Sequence, residues 1–511
     1  MRKAMTEIGE TAMVQYRDDP KVTLLYPPNQ SWPGTMCKPN GSLAYPNLGG
    51  ALLDMGVEVV VYDACVGNEC DSSDDAFGHV EELPSGLLRT GVRSQRILEE
   101  VADSAVVGLT SIFTDQESMV LATARLIKGA YPNIILLAGG VNARHRLAQF
   151  FDAGADVVCL SEAESTIHRI IDGLRRRSLD VSEVPGVAYR SNGRIVVNRM
   201  TPGDVVWDLD RLPMPAWHLL PNERYWAIGR PHGGRFTPGE PLRYASMMTS
   251  LGCVFACAYC HIAGETEGSL AGPIGRFREK SDERALDELA VLRGLGVKQV
   301  FIEDDTLFGH KQRALRLLRK IRGAGVDILD VNGVNVIHLF RGAGPDREVI
   351  EALVEAGFKE IVLPFESGSQ RIIQKYATNK WDLARNDVLE LIRVCKEYGL
   401  VIAGNYMLGY PDEVREEVAR TIAMAARHRA AGLDAANFFL VMPLPGTPLF
   451  ELALLGGHLP EDFDPDRMNW TKATMVNTPV PPAELEELRE HAWRELNDQT
   501  YVDYKRGMVV G

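Results

Sequence analysis

An apolar stretch that ends in three closely spaced cysteines, YASMMTSLGCVFACAYC, runs from residue 244 to residue 260. The cysteines are Cys253, Cys257 and Cys260, with the spacing C-x3-C-x2-C. Three thiolates at this spacing can bind three irons of a [4Fe–4S] cluster and leave the fourth iron without a protein ligand. An iron without a protein ligand is a place where a substrate can bind. The stretch therefore predicts an iron–sulfur site at which chemistry takes place.

A structural Cys3His zinc site, with His261 as its fourth ligand, is the alternative for the same cysteines, because zinc also accepts thiolates and an imidazole. Closed zinc sites usually use C-x2-C pairs within a small ribbon. Here a long pattern of alternating strands and helices follows the cysteines instead. The sequence therefore favours the cluster.

Strand-like and helical segments alternate from residue 242 to about residue 450. The strand candidates end near Gly252 and then lie at 300–302, 328–331, 361–363, 401–406 and 437–441. The helical candidates between them lie at 281–295, 312–324, 348–356, 383–398 and 413–431. Six β/α units predict a partial TIM-type (β/α)6 barrel, whose reactive groups lie at the C-terminal ends of its strands. The cysteines follow the first strand, where that rule places chemistry.

Five short runs rich in β-branched residues or leucine precede this region, at residues 22–26, 57–62, 105–110, 134–138 and 156–160. Helical candidates such as residues 119–131 lie between them. This alternation predicts an α/β domain over residues 21–178 with a doubly wound, Rossmann-like parallel sheet. Such a sheet binds ligands beyond the carboxyl ends of its strands, so the loops after Tyr26, Leu109 and Ala138 are candidate binding loops.

The rest of the chain is expected to connect or extend these two domains. Residues 1–20 read as an N-terminal tail, and residues 179–241 as a linker with a hairpin that turns at Asn192-Gly193. Proline and tryptophan are frequent in the second part of that linker, which predicts an irregular strap. Residues 451–511 form a C-terminal extension with a predicted helix at 482–499.

Composition limits the class of protein. The 511 residues are 45% hydrophobic and 24% charged, which is ordinary for a soluble globular protein of two or three domains. The net charge of −14 argues against a nucleic-acid binder. Because no apolar run reaches 18 residues and residues 1–20 are polar and mixed in charge, the sequence predicts no membrane span and no signal peptide, and hence a cytoplasmic location. Eight cysteines in so long a chain do not form a disulfide pattern, and a reducing compartment suits a cluster.

The cysteine spacing, with Tyr259 just before the third cysteine, resembles the signature of the radical S-adenosylmethionine (SAM) enzymes. In that family the amino and carboxylate groups of SAM chelate the open iron, and an electron from the cluster cleaves SAM to a 5'-deoxyadenosyl radical. The resemblance implies that Cys253, Cys257 and Cys260 bind a [4Fe–4S] cluster. It also implies an external electron donor similar to flavodoxin or ferredoxin.

Several segments at the predicted strand ends resemble SAM-binding segments of this family. The acidic run Glu303-Asp304-Asp305 ends the second strand, although acidic residues there would also suit the start of a helix. Glu366-Ser367 ends the fourth strand, and Gly404-Asn405 lies on the fifth. The resemblance implies that SAM is contacted by Tyr259, Glu303, Asp304, Glu366, Ser367 and Asn405.

The N-terminal sheet resembles the cobalamin-binding domains of doubly wound type. Thr110-Ser111 and Gly139-Gly140 stand where those domains carry a Ser or Thr and a Gly-Gly pair, so the resemblance implies that these four residues contact cobalamin. The loop after Tyr26 has no histidine, which implies that it supplies no histidine to cobalt. A purely structural sheet, or one for another nucleotide, is the alternative.

Residues 107–116 and 138–144 resemble the corresponding parts of the cobalamin-dependent C-methyltransferases of fosfomycin biosynthesis, and the order of parts agrees from about residue 21 to 450. The resemblance predicts a cobalamin-dependent radical SAM methyltransferase. It would use methylcobalamin and a 5'-deoxyadenosyl radical to methylate an unactivated carbon, or phosphorus, of a small-molecule natural product.

Three other functions remain open from the sequence. A cobalamin-dependent radical SAM enzyme can also catalyse cyclisation, ring contraction or oxidation without methyl transfer. A methylthiotransferase would need an extra cluster, for which Cys37, Cys65 and Cys70 are available. A cobalamin or redox sensor would keep the fold without turnover.

Substrate contacts are the least defined part of the site. The loop from Arg230 to Arg235 is a candidate for binding an anion, and equally a solvated loop. Asn332, Asn335 and His338 near the third strand are candidates to face the cavity. The sequence identifies no catalytic acid or base.

Overall fold

The computed structural model describes residues 7–8, 12–13, 19–39, 41–231 and 243–506. The chain divides into two compact units. Unit 1 consists of Met1–His232 and Glu265–Ile274, and unit 2 consists of Gly233–Gly264 and Gly275–Gly511. In the described residues, no helix has the length and apolar character that a bilayer span requires.

Unit 1 contains a seven-stranded sheet. Its strands in chain order are β1 (Val22–Tyr26), β2 (Val59–Asp63), β3 (Val106–Thr110), β4 (Ile135–Gly139), β5 (Val157–Cys159), β6 (Val187–Ser191) and β7 (Arg194–Asn198). The spatial order is β7-β6-β5-β4-β3-β1-β2. The strands β1 to β5 are parallel, as the sequence predicts.

The predicted hairpin forms strands β6 and β7, and it turns at Asn192 and Gly193, which both have positive φ. It does not stand apart as a piece of linker, because β6 pairs antiparallel with β5 and so extends the sheet. The physical reason is burial: Val187 and Ala188 are fully buried in this pairing.

Both faces of the parallel strands are covered by helices. One core joins Leu25, Val107 and Leu136 with helix side chains, and the alternate residues of the same strands join the core on the other face. This alternation is what a doubly wound sheet requires. The helices of unit 1 are α1 (Ala44–Asp54), α2 (Ser94–Val101), α3 (Glu117–Ala130), α4 (Val141–His145), α5 (Leu147–Asp152), α6 (Glu164–Arg175) and α7 (Asn222–Ile228).

Unit 2 contains a six-stranded sheet in which every pairing is parallel and the spatial order follows the chain. Its strands are β8 (Tyr244–Met247), β9 (Gln299–Ile302), β10 (Asp327–Asp330), β11 (Phe358–Glu366), β12 (Val401–Leu408) and β13 (Ala435–Leu440). These are the six strands that the sequence predicts. A parallel sheet in sequential order brings all six strand ends to one edge.

Helices separate the strands of unit 2 and continue beyond them. They are α8 (Asp282–Gly294), α9 (Lys311–Ile321), α10 (Arg347–Ala356), α11 (Gln370–Tyr376), α12 (Val388–Glu397), α13 (Arg415–Ala430), α14 (Pro448–Leu455), α15 (Pro482–Glu495) and α16 (Gln499–Lys505). The C-terminal part covers the edge strand β13. The Arg489 guanidinium donates to the Phe438 carbonyl at 2.9 Å, and the Asn497 amide exchanges two hydrogen bonds with the Ala436 backbone. These bonds satisfy backbone groups that an open sheet edge would expose.

We predict that Gly140→Ala destabilises unit 1. Gly140 has φ +101°, and a Cβ atom there would lie 2.5 Å from the Ser111 carbonyl oxygen. A strained backbone and a steric overlap should together lower the free energy of unfolding by at least ~2 kcal/mol, measurable by urea denaturation. Gly129→Ala is the matched control, because Gly129 lies in α3 with open space around its Cα atom and should gain about 0.5–1 kcal/mol. Equal effects of the two substitutions would contradict this role of Gly140.

Candidate functional site

A tight turn at Gly252 presents the cysteine loop at the C-terminal edge of the unit 2 sheet. Gly252 has φ +78°, and any side chain there would overlap the Arg276 carbonyl. The Gly252 backbone N–H donates to the Asp305 carboxylate at 2.9 Å, and the Cys253 N–H donates to the Gly275 carbonyl at 3.1 Å. The loop therefore begins at a position that only glycine fits.

Asp304 anchors the chain just before this turn. Its carboxylate accepts hydrogen bonds from the Thr249 N–H at 2.5 Å, the Thr249 hydroxyl at 2.6 Å and the Ser250 hydroxyl at 2.7 Å. The buried Arg313 guanidinium donates to the Thr249 hydroxyl and to its carbonyl from the other side. Asp304 is only 2% exposed. The geometry therefore does not support a direct contact with SAM, which the sequence predicts for Asp304, and assigns it to holding the cysteine loop.

The three predicted cluster cysteines lie near one another on this loop. The Cys253 Sγ atom lies 2.7 Å from the Thr306 hydroxyl, and the Cys257 thiol accepts a long contact of 3.9 Å from the Thr378 hydroxyl. Burial, together with the charges of Cys257, Asp305 and Cys253, raises the pKa of Cys260 to about 12. Thiolates that disfavour one another electrostatically are stabilised when cationic iron binds them.

The geometry of the described residues gives no support to the zinc alternative. Tetrahedral zinc with Zn–S bonds of about 2.3 Å needs sulfur atoms roughly 3.8 Å apart. Within the described ranges, no group of three or more His, Cys, Asp or Glu side chains is arranged to hold a single metal ion. The Nε2 atom of His261 lies 3.1 Å from the Pro445 carbonyl oxygen. A [4Fe–4S] cluster uses a different iron for each thiolate and does not need such close sulfurs.

The segment after α11 lies against the cysteine loop, although sequence reasoning did not identify it. The Ala258 N–H donates to the Tyr376 carbonyl at 2.8 Å, and the Ala256 N–H donates to the Thr378 hydroxyl at 3.1 Å. Lys380 follows, with only 11% of its side chain exposed, and its Nζ atom lies 2.9 Å from the Glu366 carboxylate. No motif marks Lys380; the one local signal is the Thr378-Asn379 pair, whose positive φ values form an unusual turn.

Glu366 ends strand β11 in a strained backbone conformation. Its φ is +63°, which non-glycine residues rarely adopt, and it is 4% exposed. Burial acts to lower the pKa of Lys380. The negative charges of Glu366 and Cys257 have the larger combined effect, so the pKa of Lys380 is raised above its ordinary value. Strain of this kind persists only where the surrounding structure enforces it, and it is frequent at functional sites.

Tyr259 lies beside this pair. Its hydroxyl is buried and lies near the Glu366 carboxylate and the Cys257 thiol. Burial raises the pKa of Tyr259 well above its ordinary value, and the negative charge of Glu366 raises it further. The structure thus brings together two of the six predicted SAM contacts, Tyr259 and Glu366.

Glu303 also lies at this edge of the sheet, at the end of β9. It accepts a hydrogen bond from the Ser246 hydroxyl, and burial raises its pKa above the ordinary value. A partly buried carboxylate whose charge is disfavoured gains from a cationic partner. Glu303 therefore remains a good candidate for binding an ammonium group.

Two other predicted SAM contacts, Ser367 and Asn405, form hydrogen bonds with neighbouring side chains of unit 2. Ser367 is completely buried and shares a hydrogen bond of 3.2 Å with the Thr421 hydroxyl of α13. The Asn405 side chain accepts a hydrogen bond from Asn437, which in turn accepts one from the Tyr501 hydroxyl. Both side chains stabilise packing of the unit 2 sheet, so the geometry does not support direct SAM contacts for either.

His338 has an unusual environment among the cavity candidates. Its Nε2 atom is buried without a hydrogen-bond partner, and its ring centroid lies 5.8 Å from that of Phe255 in the cysteine loop. Burial lowers the pKa of His338 to about 4, assisted by the charges of Lys311 and Lys380. The imidazole is therefore neutral near pH 7 and has an unused polar atom.

The other candidate substrate contacts are less informative. Asn332 donates to the Glu303 carbonyl at 2.7 Å, and Asn335 is buried. In the predicted anion-binding loop, Arg230 stacks on the Phe77 ring at 5.5 Å. Residues 232–235 of that loop lie outside the described residues.

The carboxyl-edge loops of the unit 1 sheet are joined to one another. The Ser111 N–H donates to the Gly139 carbonyl at 2.7 Å, and the Asn142 amide donates to the Ser111 hydroxyl at 3.0 Å. Thr110 and Ser111 are buried. A Cβ atom at Gly140 would overlap the Ser111 carbonyl, so glycine is needed there for packing. A Cβ atom at Gly139 would meet nothing closer than the Cys159 Cβ atom at 3.7 Å. The Oδ1 atom of Asn142 is buried without a partner, which makes it a polar group available to a ligand.

The cysteines required for an additional N-terminal cluster do not converge. Cys65 is fully buried beside Cys37, and a hydrogen bond from Cys65 lowers the pKa of Cys37 to about 7. Cys70 is exposed. Two adjacent thiols and one exposed thiol do not form the three-cysteine site that the methylthiotransferase alternative needs.

Residues 247–425 match the Radical SAM superfamily. The chain is 27% identical over 406 residues to an uncharacterised methyltransferase of Pyrococcus horikoshii, covering 79% of each chain. It is 25% identical over 454 residues to the cytidylyl-2-hydroxyethylphosphonate methyltransferase of Streptomyces wedmorensis, covering 82% of this chain and 81% of the relative.

The fold is similar to that of the radical SAM methyltransferase TsrM from Kitasatospora setae, solved with cobalamin and a [4Fe–4S] cluster bound. The TM-score is 0.63 at 18% identity, and the match covers 92% of this chain and 85% of TsrM. The matches confirm the radical SAM domain and the resemblance to cobalamin-dependent radical SAM methyltransferases that the sequence predicts.

We predict that Asp304→Asn loosens the cysteine loop. An amide replaces one charged acceptor oxygen by a donor, so at least one of the three hydrogen bonds from Thr249 and Ser250 is lost. The free energy of unfolding should fall by about 2–3 kcal/mol, and less iron should bind after anaerobic reconstitution. Asp287→Asn, at an exposed position of α8, is the control for both measurements. Full iron binding and unchanged stability in Asp304→Asn would contradict the anchoring role.

Glu413, in the turn after strand β12, gives the stability of unit 2 a defined pH dependence. It is 1% exposed, it accepts a hydrogen bond of 2.6 Å from the Gly409 N–H, and burial raises its pKa to about 8. The folded chain therefore binds a proton that the unfolded chain has lost above about pH 4.5, and its stability falls as the pH rises to about 8.

We predict that Glu413→Gln removes this dependence. From pH 5 to 8 the free energy of unfolding of the wild type should fall relative to the variant, by up to about 1.4 kcal/mol per pH unit. Urea denaturation of both proteins across this range measures the difference. Parallel pH profiles would mean that Glu413 is already ionised in the folded protein.

Proposed function

We propose that this chain, whose residues 247–425 form a Radical SAM superfamily domain, is a cobalamin-dependent radical SAM methyltransferase. Its substrate would be a small organic molecule, methylated at an unactivated carbon or at phosphorus. The observation that carries the proposal is the combination of two units in one chain. A three-cysteine loop lies at the strand ends of unit 2, and a doubly wound sheet with a Gly-Gly loop at its carboxyl edge forms unit 1.

The similarities support both halves of the proposal, because they extend well beyond the radical SAM region. The two methyltransferase relatives align with about four fifths of the chain, and TsrM, which binds cobalamin and a cluster, shares the fold over 92% of it. On this view unit 1 contains a cobalamin-binding domain within residues 21–178. Residues 242–450 contain a partial TIM-type barrel.

Particular residues suit each bound group. Cys253, Cys257 and Cys260 would bind the [4Fe–4S] cluster, and Tyr259, Glu303 and Glu366 would contact SAM. The loops at Thr110-Ser111 and Gly139-Gly140 would hold cobalamin, with the free Asn142 Oδ1 atom as an added acceptor. When bound, these groups supply radical formation and the methyl donor, which are the steps that side chains cannot perform.

The chain itself contributes position and polarity. The Asp304 network and the turn at Gly252 hold the cysteines in place, and Glu303 provides a carboxylate for an ammonium group. His338 is neutral and has an unused nitrogen atom, so it suits a hydrogen bond to a polar group of the substrate. Phe255 and Phe308 on either side of His338 keep this region apolar, which helps to exclude water.

The proposal includes an external electron donor, flavodoxin-like or ferredoxin-like, as the resemblance to radical SAM enzymes implies. It also keeps the predicted cytoplasmic location, since reducing conditions suit the cluster.

The first test is anaerobic reconstitution of the full chain with iron, sulfide and hydroxocobalamin. We expect four irons and one corrin per chain, measured by metal analysis and ultraviolet–visible spectroscopy. Cys253→Ser, Cys257→Ser and Cys260→Ser should each lose most of the iron and retain the corrin, because the two groups bind to different units. Cys70→Ser, at an exposed cysteine, should retain both.

Other outcomes separate the alternatives. Four irons without corrin would contradict a cobalamin enzyme, and eight irons with a loss in Cys70→Ser would favour a methylthiotransferase. With substrate, transfer of label from methyl-labelled SAM distinguishes a methyltransferase from a cyclase. A protein that never converts SAM to 5'-deoxyadenosine would favour a sensor.

A further inference from the structure

A buried ion pair lies directly beside the cysteine loop. Lys380 and Glu366 are 2.9 Å apart, with 11% and 5% of their side chains exposed. Burying two charges costs free energy that their attraction does not always recover. The pair is therefore poor evidence of a stabilising role, and its location suggests a function.

Backbone hydrogen bonds and two aromatic rings hold Lys380 against the cysteine loop. The Ala256 and Ala258 N–H groups hold the preceding segment through Thr378 and Tyr376. The ammonium group lies 5.8 Å from the centroid of the Phe255 ring and 6.0 Å from that of Tyr259. Both aromatic residues belong to the loop of the three cysteines. Lys380 is thus a cation held beside this loop, and because its side chain is only 11% exposed, solvent screens its charge weakly.

The two charges of the pair act unequally on the cysteines. Burial is the largest influence on Cys257, and Lys380 then counts for more than Glu366, which acts in the opposite direction. Cys253 also interacts electrostatically with Lys380. The pair is neutral as a whole, but the Lys380 ammonium faces the Phe255 and Tyr259 rings on both sides of Cys257 in the sequence, and at Cys257 the cation acts more strongly than the carboxylate.

We infer that Lys380 is a positioning residue whose buried charge, held in place by Glu366, makes the cysteine-bound cluster easier to reduce. The inference rests on the proposed cluster site. The reduction potential of an iron–sulfur cluster depends on nearby charge and on solvent exposure. A fixed cation stabilises the added electron, so it raises the midpoint potential and brings it closer to that of an external donor.

The test is an EPR-monitored redox titration of the cluster-loaded full chain without SAM. Lys380→Gln should shift the midpoint potential to more negative values. Glu366 then either keeps its charge or takes up a proton, and in both cases the field at the thiolates becomes less positive. Glu366→Gln should shift the midpoint in the opposite direction, because Lys380 remains without its counter-ion. Lys380→Arg should stay close to the wild type.

Lys396→Gln is the matched control. Lys396 forms a more exposed pair with Asp434, 2.7 Å apart, near the amino ends of strands β12 and β13 of the same sheet. Reactive groups of such a sheet lie at the opposite, carboxyl ends, so this substitution should leave the midpoint unchanged.

Shifts of the same sign in Lys380→Gln and Glu366→Gln would overturn the inference, because loss of structure alone would act in one direction. An unchanged midpoint in Lys380→Gln would also overturn it. If Lys380→Gln binds no cluster, Glu366→Gln decides, and a zero or negative shift refutes the inference. A wild type that binds no cluster would instead refute the proposed function, so the two failures are distinguishable.

Discussion

The buried carboxylate of Asp304 supports the part of the structure on which the site depends. It joins the end of one parallel strand to the start of the cysteine loop through three short hydrogen bonds, and Arg313 supports the same segment from the other side. The turn at Gly252 follows at once, and only glycine fits its backbone and its contact with Arg276. A loop of three cysteines would otherwise have many conformations, and a cluster could bind only after paying the entropy of ordering it.

Burial of this loop raises the pKa values of the Cys257 and Cys260 thiols and of the nearby Glu303 carboxylate. The three thiols, Glu303 and Glu366 lie at one edge of the sheet. Cys253 and Cys257 disfavour ionisation of Cys260, Glu366 disfavours that of Cys257, and burial disfavours the charge of Glu303. Lys380 is the buried cation that offsets them. Iron and the ammonium group of SAM are positively charged, so they would also offset these negative groups. The charges of the side chains therefore favour the groups that the chain is proposed to bind.

The loops at the carboxyl edge of the unit 1 sheet are held by different interactions. The loops after β3 and β4 are held by backbone hydrogen bonds and by the Ser111–Asn142 contact. Glu117, at the start of α3, accepts a hydrogen bond from Asn142 and pairs with Arg146, so its charge is partnered within the unit. The loop after Tyr26 contains no histidine.

The sequence by itself determined the strands of both sheets, the hairpin and the cysteine loop. Alternating patterns, the Asn-Gly turn and the cysteine spacing depend on residues close together in the chain, and such signals can be read locally. It also marked Tyr259, Glu303 and Glu366, because each lies beside a recognisable motif. The contacts of Asp304 and Ser367 with SAM stay predictions. The structure shows both side chains hydrogen-bonded to neighbouring segments, and a motif does not reveal whether a polar group points to a ligand or into the packing.

Only the tertiary structure decided what surrounds the cysteines. Thr378 is 121 residues from Cys257, and Lys380 is 14 residues from the carboxylate it pairs with, yet folding places them all at one loop. The edge position of the hairpin and the contacts of the C-terminal helices with β13 were likewise settled by packing. Electrostatic and hydrogen-bond partners are set by distance in space, which no local pattern encodes, whereas strand periodicity and cysteine spacing are set by distance along the chain.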